Sequence, residues 1–265
     1  MDIRQALETI ARDGFCIQKG IVPVDQVESV RQSVLAAAQE HRQKDAPAQI
    51  AFVPSLLRYD HSAAPYLAAN RLLQLVEALL GPHLRISFVS AIINERGNQR
   101  GDWHADWPFN QRNAGHIPSP YPDALFHLTT LWMLSPFSAE NGATLVVPQS
   151  HRSPNNPTGD NGIDPRAPHP DEVHVSGQAG DVLVFDSRLW HASAPNTTAN
   201  PRVALAVRYA PWWLNLEVLR PGSDARRRMV DETGGKENEV PSLGRASFEA
   251  LPIALKPLLR HWVEA

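Results

Sequence analysis

Two histidines and an aspartate in this sequence have the residue types and the spacing of metal ligands. His104 and Asp106 occupy alternate positions within the segment 101–107. In an extended backbone, residues two apart project from the same face, so both side chains can reach one ion. A His-x-Asp pair alone is weak evidence, because it occurs by chance in many chains. The prediction of a metal site therefore depends on a third ligand.

We predict that the third ligand is His191, which follows the apolar run 181–185. Two histidines and one carboxylate form the arrangement associated with non-haem iron(II) oxygenases, which leaves coordination positions open. The same donors also suit zinc with a bound water, so a zinc hydrolase is an alternative. A non-catalytic binding module built on the same barrel is another. Surface or hydrogen-bonded roles are expected for five other histidines, namely His116, His127, His151, His169 and His174.

A basic strand distinguishes the oxygenase from the hydrolase. Arg202 lies eleven residues after His191, at the start of the run 202–209. Alternation along a strand places Arg202 and Arg208 on one face, separated by two small residues. A guanidinium binds a carboxylate through two parallel hydrogen bonds, which predicts an anionic cosubstrate in front of Arg202. An ion pair with a neighbouring strand is the alternative, and it is the expected role of Arg208.

These residues must be positioned by a β-rich framework. Short apolar runs separated by Gly, Pro and Asn are typical of an antiparallel barrel or jelly roll. The runs cover 86–93, 125–134, 143–147, 181–185 and 202–209. Two polar, Pro-rich loops at 108–123 and 153–171 exceed the usual connection length and are predicted to cover the mouth of the barrel.

Helices are predicted on either side of this framework. Apolar residues recur at helical spacing in 3–12, 24–40 and 70–80, with Gly14 suited to a C-terminal cap and Asn70 to an N-terminal cap. We expect one domain over 1–265. It divides into a helical N-terminal part at 1–84, a jelly-roll core at about 85–215 and a helical C-terminal tail at 216–265.

Composition excludes several classes of partner. With 25 basic and 28 acidic residues, the formal charge of −3 provides no positive field for nucleic acid or an anionic membrane. Cys16 is the only cysteine, so an internal disulfide is impossible and a reducing compartment is expected. The charged start at 1–8 does not read as a signal peptide, and no apolar run is long enough to cross a bilayer. We therefore expect a cytoplasmic protein with a small-molecule partner; oligomeric state has no signature in the sequence.

The chain resembles the phytanoyl-CoA dioxygenase-like branch of the 2-oxoglutarate oxygenases, from residue 7 to about residue 213. The matching features are Gly14-Phe15 after the first helix, His104-x-Asp106, the stretch 140–151, His191-Ala192-Ser193 and Arg202. The stretch 140–151 is a characteristic family marker, although Gln149 stands where glycine is usual.

This resemblance implies a mainly β protein with flanking helices, folded as a double-stranded β-helix, also called a jelly roll or cupin-like fold. It implies iron(II) on His104, Asp106 and His191, with 2-oxoglutarate as cosubstrate and dioxygen as oxidant. The distal carboxylate of 2-oxoglutarate would be bound by Arg202 and Ser193. Because halogenating relatives lack the metal carboxylate, Asp106 favours hydroxylation of a small or mid-sized organic molecule, with release of succinate and CO2.

Other residues are weaker candidates. Thr144 and Trp132 could line the cosubstrate pocket, with packing inside a β-run as the alternative. Trp107, Phe109 and Arg208 could line the substrate cavity, because aromatic walls are common around such sites. For the two aromatic residues, barrel packing is an equally good explanation. The family name does not imply a coenzyme A thioester here, and the low basic charge argues against one.

Overall fold

The computed structural model describes residues 2–159 and 162–264, and two antiparallel sheets form its centre. The larger sheet has the strand order β1-β7-β4-β9-β3-β2, and the smaller sheet has the order β6-β5-β8. Within the described residues the strands are β1 Phe15–Gln18, β2 Ile50–Pro54, β3 Arg85–Asn94, β4 Leu128–Met133, β5 Thr144–Val146, β6 Val173–His174, β7 Val182–Asp186, β8 His191–Ser193 and β9 Arg202–Ala210. This is the predicted jelly roll, and its five predicted β-runs all contain strands.

Strand β9 shows how the core is divided between the two faces of the larger sheet. Val203, Leu205 and Val207 belong to the apolar cluster that the sheet shares with the helices. Ala204 and Ala206 belong to a second cluster, together with residues of the smaller sheet. The predicted alternation is therefore confirmed, and the small side chains of β9 face the interior between the sheets.

Among the described residues, four α-helices precede β3. They are α1 Ile3–Asp13, α2 Val24–His41, α3 Ala64–Leu67 and α4 Asn70–Leu80. Helix α1 ends at Gly14, whose φ of +90° is left-handed and whose N–H donates to Ile10 O at 2.8 Å. The capping role predicted for Asn70 is wrong. The chain enters α4 one residue earlier, at Ala69, so Asn70 is already helical and its side chain caps nothing.

The N-terminal part is less helical than predicted, because it supplies both edge strands of the larger sheet. Strand β1 pairs with β7, with Phe15 opposite Phe185, and β2 pairs with β3. Both strands are only four or five residues long. Their strand identity is decided by the neighbours with which they pair, which local sequence does not reveal.

After β9 the chain returns to short helical segments. These are α5 Asp224–Arg226, a π-helical turn at Arg227–Asp231, α6 Arg245–Glu249 and α7 Lys256–Leu259. The side chains of His261 and Trp262 bond to Ile86 O at 3.1 and 2.8 Å, which fastens the tail to β3. None of the helices within the described ranges has the length and apolar character needed to cross a membrane.

The two long loops lie against each other beside the metal motif. Asn156 Nδ2 donates to Phe109 O at 2.7 Å, and Gln111 N–H donates to Thr158 Oγ1 at 3.0 Å. Asp160 and Asn161, in the middle of the second predicted loop, lie outside the described residues.

Candidate metal centre and cosubstrate cavity

The three predicted ligands meet at one point. One ligand atom from each of His104, Asp106 and His191 lies within 4.8 Å of the other two. His191 Nε2 is 3.7 Å from Asp106 Oδ2, and the two imidazole centres are 4.2 Å apart. These separations suit three donors around a single ion.

Main-chain hydrogen bonds hold the two histidines side by side. His104 N–H donates to His191 O at 3.1 Å, and His191 N–H donates to His104 O at 3.0 Å. The extended strand expected around His104 is reduced to this single antiparallel bridge. Asp106 is placed separately, because its N–H donates to Ser187 O at 2.8 Å.

The imidazoles of His104 and His191 each have Nε2 available to bind an ion placed between the two rings and Asp106. His104 Nδ1 is 2.9 Å from Asp102 O, and His191 Nδ1 is 2.9 Å from Leu189 O. Because a carbonyl oxygen only accepts, each Nδ1 carries the proton and each Nε2 keeps a lone pair. Burial lowers the pKa of His191 to about 4, so this ring is neutral at physiological pH. A neutral ring with a free Nε2 is the form that binds a metal.

Asp106 is ionised and held at both oxygens. Its Oδ1 is 2.5 Å from Arg208 Nη2, and its Oδ2 accepts from Thr129 Oγ1 at 2.7 Å. Burial alone would raise the pKa of Asp106, but the positive charge of Arg208 and, less strongly, the hydrogen bond from Thr129 lower it below its ordinary value. Two imidazole nitrogens and one carboxylate are a donor set that fits iron(II), with positions left open on the remaining side.

A cavity of about 120 Å³ adjoins the three ligands. Beyond the ligands, its polar walls are Thr129, Thr144, Ser193, Arg202 and Arg208. Its apolar walls include Ile92, Leu131, Phe185 and Ala206. Ligand sites for drug-sized molecules occupy several hundred cubic ångströms, so this space suits a small polar acid.

Arg202 is a buried cation to which no described residue offers a balancing anion. Its side chain is 2% exposed; Nε donates to Gly142 O at 3.1 Å, and the guanidinium carbon lies 4.8 Å from the ring centre of Phe137. Among the residues that the structure describes, no carboxylate lies within ion-pair distance. Burial lowers the pKa of Arg202 to about 10, which still leaves it charged at neutral pH. A carboxylate from a bound molecule would supply the missing counter-charge.

Three aromatic candidates lie outside the cavity wall. Trp132 projects to the helix side of β4, opposite Leu131, and its indole N–H donates to Thr130 Oγ1 at 2.9 Å. Trp107 packs edge-on against His127 at 5.3 Å within the core, and Phe109 packs on Tyr121. The pocket roles suggested for these residues are therefore corrected to the packing alternative, which for Trp132 follows from strand alternation. Thr144, Ser193 and Arg208 do line the cavity, and Arg208 forms the ion pair expected for it.

Sequence reasoning missed Thr129 and Ser187, which surround Asp106. The only available signal was a hydroxyl residue inside or directly after an apolar strand, which is common in any β protein. The hydrogen-bonded role expected for His127 is confirmed, because its ring lies between Ser87 and Ser187 at 2.8 Å from each hydroxyl.

Comparisons with known proteins agree with this fold. In solved structures, the chain is similar to HygX from Streptomyces hygroscopicus, described with nickel, 2-oxoglutarate and hygromycin B bound. The TM-score is 0.66 at 18% identity, covering 89% of this chain and 96% of HygX. It is also similar to the epimerase SnoN, described in complex with Fe3+, alpha ketoglutarate and nogalamycin RO. Here the TM-score is 0.62 at 23% identity, covering 79% and 83%.

Sequence comparison identifies the family. The dioxygenase af480 of Aspergillus fumigatus is 32% identical over 138 residues, which is 52% of this chain and 40% of that protein. The chain spans less than two thirds of the length of the curated relatives that it matches first, between 40% and 64%. The sequence model for phytanoyl-CoA dioxygenase (PhyH) matches residues 10–204. Because that match covers well over half of the 265 residues, the chain belongs to the phytanoyl-CoA dioxygenase (PhyH) family.

Proposed function

We propose that this protein is a non-haem iron(II)- and 2-oxoglutarate-dependent dioxygenase. The observation that carries the proposal is the buried, uncompensated charge of Arg202 in the same small cavity as His104, Asp106 and His191. A cation in that position costs free energy unless an anion joins it. A dicarboxylic keto acid satisfies both ends of the cavity, because one end can chelate a metal and the other can meet the guanidinium.

Some residues of the cavity would bind the metal, and others would bind the cosubstrate. His104, Asp106 and His191 would hold iron(II), and Arg202 would bind the distal carboxylate of 2-oxoglutarate, with Ser193 and Thr144 beside it. When bound, the iron with dioxygen would supply oxidative decarboxylation of 2-oxoglutarate to succinate and CO2, coupled to oxidation of the substrate. The apolar walls exclude water from this reaction. The structures of HygX and SnoN, whose descriptions name a metal with 2-oxoglutarate or alpha ketoglutarate, support this cofactor set.

The substrate is proposed to bind in a second cleft, of about 380 Å³. The ring of Phe88 lines this cleft and lies 5.1 Å from the Arg208 guanidinium carbon. The other lining residues are Gln43, Phe52, Pro54, Glu237, Asn238, Glu239 and Pro241. The lining contains aromatic, amide and acidic side chains but no lysine or arginine. We therefore propose a small or mid-sized organic substrate that is neutral or cationic, and not a coenzyme A thioester with its phosphates.

Hydroxylation is the proposed reaction. Asp106 fills the carboxylate position among the ligands, so no halide is needed there. SnoN is described as an epimerase, and members of one fold can direct the same cofactor chemistry to different products. Analysis of the substrate product decides between hydroxylation and these other oxidations.

A zinc hydrolase is disfavoured by the same cavity. Zinc could use the three ligands and a water, but hydrolysis has no use for a buried guanidinium at the far end of the space. A binding module without catalysis would likewise leave the charge of Arg202 uncompensated.

The proposal is tested by anaerobic titration of the metal-free protein with iron(II) and 2-oxoglutarate. We expect the metal-to-ligand charge-transfer absorption of a chelated keto acid. Asp106→Ala should abolish both this absorption and iron-dependent succinate formation, whereas Arg166→Met, at an arginine whose side chain is 80% exposed, should change neither. Tight zinc binding without any charge-transfer absorption from iron and 2-oxoglutarate would reject the proposal in favour of the hydrolase.

A further inference from the structure

A chain of four buried hydrogen bonds leads from the carboxylate of Asp106 to Ser87 on strand β3. Asp106 Oδ2 is 2.7 Å from Thr129 Oγ1, which is 2.9 Å from Ser187 Oγ. Ser187 Oγ is 2.8 Å from His127 Nδ1, and His127 Nε2 is 2.8 Å from Ser87 Oγ. None of these five residues is more than 3% exposed. We call this series the Asp106–Ser87 chain.

The charge of Asp106 sets the direction of every bond in the Asp106–Ser87 chain. A carboxylate only accepts, so Thr129 donates its one hydroxyl proton to Asp106. Ser187 must then donate to Thr129, and the proton between Ser187 and His127 must come from His127 Nδ1. A neutral imidazole with Nδ1–H has an acceptor at Nε2, which Ser87 fills. The deep burial of His127 and its contacts with two hydroxyls fit this neutral form.

The members of the chain are held by different elements, so their meeting is a feature of the tertiary fold. Thr129 lies on β4, Ser187 directly follows β7, and Ser87 lies on β3. The main chain repeats the connection, because Ser187 N–H donates to His127 O at 3.2 Å and Ser187 O accepts from Asp106 N–H at 2.8 Å.

From this arrangement we propose that His127 is a positioning residue for the metal carboxylate, acting through Ser187 and Thr129. The inference rests on the proposed function. Arg208 holds Oδ1 of Asp106, while the Asp106–Ser87 chain holds Oδ2, the oxygen nearer to His191 Nε2. Asp106 is thereby fixed in one orientation. Oδ1 accepts from Arg208, whereas Oδ2 accepts from Thr129 with one lone pair and would bind the ion with the other, on the side of His191 Nε2. A carboxylate that binds through one oxygen keeps a further coordination position open for cosubstrate.

Cobalt(II) titration of the metal-free protein measures this role without turnover. We expect Thr129→Val, Ser187→Ala and His127→Gln to weaken cobalt binding by about 10- to 100-fold, the usual loss when partners of metal ligands are removed. His127→Asn should lose less, because its amide can place a donor near the position of Nδ1. His61→Gln is the matched control, since His61 bonds only to a backbone carbonyl in the described structure, at 2.8 Å from Leu57 O.

A second measurement reads the proton arrangement directly. Nitrogen-15 NMR of the metal-free wild-type protein should show His127 as the neutral Nδ1–H tautomer; an Nε2–H tautomer or a charged ring would overturn the proposal. Unchanged cobalt affinity in folded Thr129→Val, Ser187→Ala and His127→Gln variants would also overturn it. Failure of the wild-type protein itself to bind cobalt would instead count against the proposed function, and the tautomer would still test the positioning role.

Discussion

Arg202 carries a conflict between stability and function. A buried guanidinium without a counter-ion lowers the stability of the protein alone, and the hydrogen bond to Gly142 and the contact with Phe137 offset only part of that cost. A carboxylate bound at Arg202, as proposed for 2-oxoglutarate, would remove the conflict. The charge therefore makes cosubstrate binding and folding stability depend on each other.

We predict that Arg202→Met separates these two effects. Without 2-oxoglutarate, the variant should unfold with a free energy equal to that of the wild type or higher by about 1 kcal/mol. The wild type with iron(II) should gain about 2.7 kcal/mol at 2-oxoglutarate concentrations 100-fold above Kd, and the variant should gain almost nothing. Urea denaturation with and without 2-oxoglutarate measures both values. A variant that is still stabilised by 2-oxoglutarate would show that the carboxylate binds elsewhere.

At the level of elements, the turn after α1 connects the N-terminal helix to the metal centre. Gly14 has a left-handed φ of +90°, and its carbonyl accepts from Asp186 N–H at 3.0 Å. A Cβ at Gly14 would lie 2.6 Å from His151 Nδ1 and 2.7 Å from Leu189 Cδ1. Leu189 also provides the carbonyl that orients His191. A side chain at position 14 would therefore displace Leu189, whose carbonyl oxygen orients the ring of His191.

Gly14→Ala should lower the free energy of unfolding by about 3 kcal/mol, which combines left-handed strain with overpacking. Gly20→Ala is the control, because Gly20 also has a positive φ, +61°, but a Cβ there would meet nothing within 4 Å. Its cost should be about 1 kcal/mol, from strain alone. Chemical denaturation of both variants gives the comparison; equal losses would mean that the contacts with His151 and Leu189 relax freely.

The same elements show how far sequence reasoning reaches. Alternation correctly placed Arg202 and Arg208 on the inner face of β9, because a period of two is a local property of the chain. The edge strands β1 and β2 were missed, since their pairing partners are distant in sequence. Trp132 was considered for the pocket because residue type alone does not reveal which face of β4 is the inner one.

Some residues of the candidate site could likewise be predicted from the sequence, and others could not. The cluster of His104, Asp106 and His191 could be predicted because His-x-Asp, a later histidine and a following arginine together are more specific than any of them alone. Thr129 and Ser187 could not be predicted, because hydroxyl residues in β-runs are frequent and gain meaning only when Asp106 is known to lie beside them.

At the level of the whole molecule, burial keeps three histidines from different regions of the chain uncharged at neutral pH. Burial lowers the pKa of His127 to about 3, of His191 to about 4 and of His261 to about 3. In the unfolded chain each has an ordinary pKa near 6.5. The unfolded state therefore binds more protons below that pH, and acid favours unfolding.

The metal-free protein should keep its full histidine contribution above about pH 6.5 and lose it as the pH falls toward 3. Each histidine costs about 2 kcal/mol at pH 5 relative to neutral pH. His261→Gln should show a shallower loss of stability between pH 7 and pH 5, because one of the histidines that take up a proton on unfolding is gone. Urea midpoints at both pH values test this; the same pH dependence in variant and wild type would contradict it.

The double hydrogen bond between the main chains of His104 and His191 has one more consequence. It involves no side-chain atom, so the separation of the two ligand-bearing backbones does not depend on the imidazoles themselves. Shortening either side chain would leave a cavity of the size of an imidazole ring. A free imidazole molecule from solution could bind in this cavity. The backbone alone therefore fixes the spacing of the two imidazole positions, whether or not the side chains are present.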